Sequence, residues 1–168
     1  DFGLALTGLK TGIGQFGLRL NGTLTLQSLQ QTGNDDPFVS NLGVFINDGA
    51  VQRWRHNIGM DWDSGPFSAT LSNSFLSGYQ DQHIVGKADR RVSAYSLWNL
   101  SAGWEATKAL TLRAGVQNLF DKAPPYDKYC VTQWGKPCFT PFGFYSGDVR
   151  TVVMNVGPGI GTLTHELV

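Results

Sequence analysis

From Gln15 to Gln27 hydrophobic and polar side chains take turns. Phe16, Leu18, Leu20, Leu24 and Leu26 fall on one side of an extended backbone, and Gln15, Arg19, Asn21, Thr23, Thr25 and Gln27 on the other. A period of two is the mark of a strand with one apolar and one wet face. The pattern predicts a strand over residues 15–29. At about fifteen residues it outruns the usual five or six of globular strands and the roughly 9–11 that cross a bilayer at a tilt.

The same alternation recurs along the chain. Residues 2–10 read as a weaker strand carrying Leu4 and Leu6, and a glycine-permitted turn follows at Thr11–Gly14. A third strand over 51–62 sets Trp54, His56, Ile58, Met60 and Trp62 against Arg53, Arg55, Asn57 and Asp61. A fourth, from Phe67 to about Tyr79, sets Phe67, Ala69, Leu71 and Phe75 against Ser68, Thr70, Ser72 and Ser74. A fifth over 92–104 has Trp98, Leu100, Ala102 and Trp104 on its apolar side. In the sixth, Leu110, Leu112, Ala114 and Val116 oppose Thr111, Arg113, Gly115 and Gln117, and the run stops at Pro124-Pro125. Connections alternate in length: short at 11–14, 63–66 and 105–108, long and polar at 30–50 and 80–91. Membrane barrels sort their turns this way, and a soluble sandwich has no need to. Aromatics gather near strand ends at Trp54, Trp62, Phe67, Tyr79, Tyr95, Trp104 and Phe120, as interfacial girdles do.

Composition sharpens the choice. Charged residues are 15% of the chain, below the roughly 25% of an average soluble domain, while glycines number 21 and aromatics reach 12%. Formal net charge is zero, so the basic excess of a nucleic-acid-binding surface is missing. No run approaches the roughly 18 apolar residues of a membrane helix, which leaves barrels open. Asp1-Phe2-Gly3-Leu4 has neither the basic start nor the apolar core of a signal peptide, so the chain is expected to be part of a longer one. The fold class expected is all-β, an antiparallel up-and-down meander forming part of an outer-membrane barrel, with an irregular tail. Alternation alone also allows a soluble β-barrel binding module with its apolar face inward. With that face toward lipid, Arg19, Arg53, Arg55, Asp61 and Arg113 project into a polar lumen. Cys130 and Cys138, eight positions apart in a loop-like segment, suit either a small disulfide in an oxidising compartment or two free thiols.

The stretch Ala109–Tyr126, ALTLRAGVQNLFDKAPPY, resembles the near-C-terminal strand of TonB-dependent outer-membrane receptors, with Asn118, Leu119, Phe120 and Asp121 as the family motif. Val51–Gln82, opening R-W-R-H-N and running through a G-P turn to S-G-Y-x-D, resembles an earlier strand pair, and Val92–Trp104 the strand after it. The resemblance spans residues 1–125 and separates them from an atypical 126–168. It implies a barrel of about 22 strands filled by a plug, driven by TonB. The implied cargo is siderophore-bound iron or another scarce nutrient, taken up across the bacterial cell outer membrane by a transporter rather than an enzyme. Its partners would be outer-membrane lipid, the plug and remaining barrel strands, the TonB system and a small-molecule ligand. No cofactor is implied.

The tail departs from that family, whose chains commonly close on an aromatic residue, whereas this one ends Thr164-His165-Glu166-Leu167-Val168. Residues 149–156, VRTVVMNV, are β-prone and can stand in for a last strand. His165-Glu166-Leu167-Val168 is also four-fifths of the H-E-x-x-H of zinc peptidases, in which His165 would ligate zinc and Glu166 serve as base. One histidine and one glutamate do not complete such a site, so this alternative is a truncated, inactive peptidase-like segment. His56 and His83 lack partners at ligand spacing, and Asp35, Asp36 and Asp81 read as loop acids. Gly157–Gly161 lacks the Lys-Ser/Thr of a phosphate loop.

Overall fold

The computed structural model describes residues 1–31, 33–46, 49–81, 83, 88–123, 125–131, 137–139, 151–156 and 163–166, with 126–131 and the stretches beyond given by backbone alone. The described elements are all strands: β1 (Phe2–Thr11), β2 (Gly14–Leu24), β3 (Leu29–Gln30), β4 (Val39–Ser40), β5 (Trp54–Ser64), β6 (Phe67–Leu76), β7 (Tyr79–Gln80), β8 (Arg91–Val92), β9 (Tyr95–Thr107), β10 (Leu110–Val116), β11 (Tyr126–Val131), β12 (Pro137–Phe139), β13 (Thr151–Val156) and β14 (Leu163–Glu166). Eight form one antiparallel sheet in the order β1-β2-β5-β6-β9-β10-β13-β14. Each long strand pairs with the next one along the chain, so the sheet is an open meander. Its edges, β1 and β14, have no second partner among the described strands.

The register carries one apolar row after another across the sheet. Leu4, Leu20, Ile58, Asn73 and Trp98 form one cross-strand row; Leu6, Leu18, Met60, Leu71, Leu100, Val116 and Val152 form the next. β1 needs a correction to stay in phase, because Leu9 lies an odd number of positions from Leu6. A bulge between Leu6 and Leu9, with Gly8 at φ 75°, inserts the extra residue and returns Leu9 to the apolar face opposite Phe16. Nothing among the described residues covers this face: Leu6 is 54% exposed and Leu9 65%. A soluble sandwich would bury it under a second sheet.

The short turns lie together at one end of the sheet. Gly12–Ile13, Gly65–Pro66 and Lys108–Ala109 are two-residue connections. The first is held by Thr11, whose hydroxyl donates to the Gly14 carbonyl (2.8 Å) and accepts from the Ile13 amide (3.3 Å). Long connections leave the opposite end, as the sorted loop lengths predicted. Several strand bounds differ from the sequence reading. The first clean strand ends at Leu24 rather than continuing to 29, and Leu26 stands 81% exposed beyond it. The strand expected to reach Tyr79 breaks after Leu76. The fifth runs on to Thr107, so its turn shifts to Lys108–Ala109. The stretch 149–156 supplies β13, which pairs with β10.

The long connections are not mere polar loops. β3 pairs with β4 and β7 with β8, and Leu42, Val44 and Ile46 make single bridges to Val51, Gln80 and Gly49. Ala50, Tyr79 and Val92 form the buried hydrophobic cluster, with Phe45 packed against it. Main-chain bonds cross-link the two connections, Phe45 N to Gln80 O and Gln80 N to Gly43 O, both 2.8 Å. Within the second connection Gly78 lets the β7–β8 pair close, since a Cβ there would collide with the Val92 carbonyl oxygen. Among the described residues the buried hydrophobic cluster therefore sits in this loop layer, not between sheet faces.

Candidate functional site

The polar face opposite the apolar rows carries most of the ionisable side chains expected on it. Arg19 on β2 donates through Nη2 to both Asp61 oxygens on β5, at 3.1 and 2.8 Å, and the Thr70 hydroxyl on β6 donates to Asp61 Oδ1 at 2.9 Å. Gly59 lies directly opposite Arg19, and the guanidinium lies across it, 3.8 Å from where a Cβ would stand. Ser74 donates to Asn57 Oδ1 at 2.8 Å farther along. Arg55 and Arg113 occupy the same face, both exposed. Arg53 stands just ahead of β5, at the rim of the face. A shallow groove of about 540 Å³ runs along β6, β9 and β10, its polar lining supplied by Ser68, Thr70, Ser72, Asn99, Ser101, Arg113 and Gln117. Hydroxyls, amides and one guanidinium make a wet, hydrogen-bonding wall. Among the described residues no cluster of three or more His, Cys, Asp or Glu is placed to hold a metal ion.

The Asn118–Asp121 motif ends β10 in a turn rather than extending the strand. Asn118 is 1% exposed and sits at φ 52°, and Asp121 sits at φ 50°. Asn and Asp tolerate this left-handed region better than other side chains bearing a Cβ. The Asn118 side chain ties the turn to itself: Oδ1 accepts from the Lys122 amide at 2.8 Å and Nδ2 donates to the Lys122 carbonyl at 3.3 Å. The Asn118 amide donates to Asn99 Oδ1 (2.9 Å), and the Leu119 amide to the Trp98 carbonyl (2.7 Å), so the turn is stitched onto β9. Tyr95 completes it by donating its hydroxyl to the Lys122 carbonyl at 3.1 Å. The sequence motif flagged these residues without revealing that the asparagine is the keystone.

Aromatic side chains mark both ends of the apolar face. At the long-connection end Phe2 stacks on Trp54 (5.2 Å), and His56 stacks on Phe75 (4.9 Å). The Trp54 indole N–H donates to His56 Nδ1 at 2.8 Å and links the two pairs. Gly22 is what lets the Phe2 ring lie flat, because a Cβ there would meet that ring at 2.3 Å. At the short-turn end Phe67 stacks on Trp104 (6.2 Å), and the Trp62 indole N–H donates to the Ile13 carbonyl (3.0 Å). Eight residues separate Trp54 from Trp62, about 27 Å along a strand and about 21 Å across a layer at a tilt of about 40°, near the roughly 25 Å apolar band of membrane barrels. Tyr79 and Tyr95 do not belong to these rims. They are 5% and 4% exposed, buried in the loop layer and beneath the Asn118 turn.

Cys130 and Cys138 fall on the paired strands β11 and β12, and their side chains lie outside the described residues. His165 and Glu166 lie on β14, opposite Val152 and Thr151 of β13. The zinc motif needs a helix, where its histidines one turn apart share a face. An extended backbone sends His165 and Glu166 to opposite faces, and the peptidase reading finds no support here.

The comparisons with known proteins agree with this architecture. A family model described as the TonB dependent receptor-like β-barrel matches residues 2–119. The ferrienterobactin receptor of Escherichia coli is 48% identical over 44 residues, 26% of this chain and 6% of that receptor. The ferric enterobactin receptor PirA of Pseudomonas aeruginosa is 29% identical over 79 residues, 43% of this chain and 11% of that receptor. The chain thus spans a small part of the curated relatives it matches. The crystal structure of a mutant of the ferric enterobactin receptor PfeA from Pseudomonas aeruginosa superposes with a TM-score of 0.52 at 19% identity, covering 98% of this chain and 22% of that one. That likeness is one of fold, and neither it nor the other relatives support a soluble binding module. An antiparallel meander with sorted turns, one uncovered apolar face and one polar wall, matched by the family model over most of its length, belongs to the TonB-dependent receptor β-barrel family.

Proposed function

We propose that this chain forms part of the wall of an outer-membrane receptor that takes up siderophore-bound iron in a TonB-dependent way. The observation that carries the reading is the two-faced sheet: Leu6, Leu9, Met60 and Leu100 stand exposed on one side, and the polar Arg19, Asp61, Thr70 and Arg113 line the other. Lipid solvates the first face, since exposing it to water forfeits about 25 cal/mol for each Å². Water and a plug fill the space beside the second, where the Arg19–Asp61 pair and the hydroxyl-lined groove offer donors and acceptors. The wall does no bond-making chemistry. It holds a lumen open across the bilayer and mounts the long connections that meet the ligand. Named relatives are receptors for ferric enterobactin, so an iron-loaded catecholate is the first ligand to try.

The test is uptake of radiolabelled ferric enterobactin by receptor-deficient cells expressing the reading frame that contains this chain. Uptake that stops when TonB is deleted is expected. A product found outside the outer-membrane fraction, with no uptake of any ferric siderophore, would overturn the reading.

The same compartment bears on the cysteines. β11 and β12 pair with Asp127 opposite Cys138 and Val131 opposite Pro137, an irregular step that includes Cys130. We infer that the two thiols are joined, closing this hairpin beyond the outer membrane, where disulfides persist.

A further inference from the structure

We propose that the two long connections, 25–53 and 77–94, open and close as one mechanical unit, from which the β3–β4 hairpin alone swings, as an arm pivoting at Asn41. Residues 41–51 of the first connection are the part fixed to the second. The inference concerns the long-connection end of the sheet and does not depend on which ligand is carried.

A complete hairpin, β5–β6, separates the two connections in sequence. Across that gap they share backbone bonds: the Phe45 amide donates to the Gln80 carbonyl, and the Gln80 amide to the Gly43 carbonyl, both at 2.8 Å. On one side of this seam the Gly43 amide donates to the Val51 carbonyl (2.8 Å) and the Val51 amide to the Asn41 carbonyl (3.0 Å). On the other side Gln80 pairs with Arg91 across β7–β8. The result is one hydrogen-bonded strip running from 51 through 43 and 80 to 91. Asp81 extends it, its amide donating to the Arg90 carbonyl at 2.9 Å and its buried carboxylate meeting the Arg90 guanidinium at 3.5 Å. The buried cluster against the strip takes Phe45 and Ala50 from the first connection and Tyr79 and Val92 from the second, with the Phe45 and Tyr79 rings 6.5 Å apart. Opening either connection uncovers half of this core, so the two share one opening free energy.

The joint at Asn41 is weak by contrast. Its amide reaches the Ser28 carbonyl at 3.3 Å, its Nδ2 reaches Gln30 Oε1 at 3.2 Å, and its buried Oδ1 has no hydrogen-bond partner. An unpaired buried acceptor costs free energy, which a rotation at the joint recovers by exposing the oxygen to water. Beyond the joint the hairpin has two paired positions, and Leu29 and Phe38 stand exposed on it. Among the described residues no hydrogen bond ties this hairpin to the second connection. A ligand that touches the fixed part therefore meets a shelf, and movement of the first connection is confined to 29–40.

The test is amide hydrogen exchange, resolved to single residues, on the whole receptor that carries this chain, in detergent. Phe45→Ala is expected to speed exchange at the Gln80 and Asp81 amides at least about tenfold, and Val92→Ala to do the same at Gly43 and Phe45. Ile58 and Leu71, in the strands between the connections, should keep their rates in both variants. In the unsubstituted receptor the Asn41 amide should exchange at least about tenfold faster than those of Gly43 and Val51. Effects that stay within the substituted connection would overturn the shared unit. Effects that spread to Ile58 and Leu71 would overturn it too, by making the layer part of the barrel wall. An Asn41 amide as slow as that of Gly43 would remove the arm.

Discussion

Asn118 concentrates more structural demand than any other side chain in the described wall. It combines near-complete burial, a left-handed backbone and an amide that satisfies both main-chain groups of Lys122. Asn118→Ala should cost about 3 kcal/mol, from unpaired buried groups and left-handed strain together. Asn118→Asp keeps the acceptor to the Lys122 amide but loses the donor, and should fall between the alanine variant and the parent; urea titration of the folded barrel reads both. The Arg19–Asp61 pair is a contrasting case. Its side chains are 58% and 29% exposed, so a double-mutant cycle with Arg19→Met and Asp61→Asn should return a coupling under about 1 kcal/mol that shrinks with salt. Gly22→Ala should swing Phe2 off Trp54, seen as a changed near-ultraviolet circular dichroism of the indole, at a cost of about 1 kcal/mol.

Strands and turns show which parts of the fold could be read from the chain alone. Alternation located all six long strands of the first 117 residues, because a two-residue period survives wherever each face meets one kind of solvent. It misplaced their ends, since a strand stops when its partner stops, and Leu26 alternates with nothing to pair against. The bulge in β1 was hidden because Leu9 breaks the phase, and only the register shows that Gly8 restores it. Deleting Gly8 should remove the bulge and leave Leu9 two positions from Leu6, on the apolar face by plain alternation, whereas Gly8→Val, which forces a β-branched residue to φ 75°, should lower the folded fraction on refolding from urea. The loop layer was illegible for a different reason. Its core draws Phe45, Ala50, Tyr79 and Val92 from separate connections, and no local period announces such contacts. Of the candidate site, the polar-face residues were readable by parity, whereas the role of Asn118 depends on left-handed backbone that the motif does not spell out. For the β11–β12 hairpin, a non-reducing peptide map should return Cys130 and Cys138 as one linked pair, and two alkylated free thiols would contradict it.

An open eight-stranded sheet with an uncovered apolar face is a poor object in water. Neither edge has a second partner among the described strands, so the isolated chain should aggregate without detergent. A monodisperse monomer in detergent-free size-exclusion chromatography would count against the lipid-facing assignment. The most direct measurement is site-directed spin labelling along β2 in the membrane-embedded receptor, comparing collision with oxygen, which dissolves in lipid, and with a water-soluble nickel chelate. Labels at 16, 18, 20 and 24 should favour oxygen, and labels at 15, 19, 21 and 23 the chelate, in strict alternation. A profile without that alternation, or one with the leucine positions shielded from both reagents, would contradict the account.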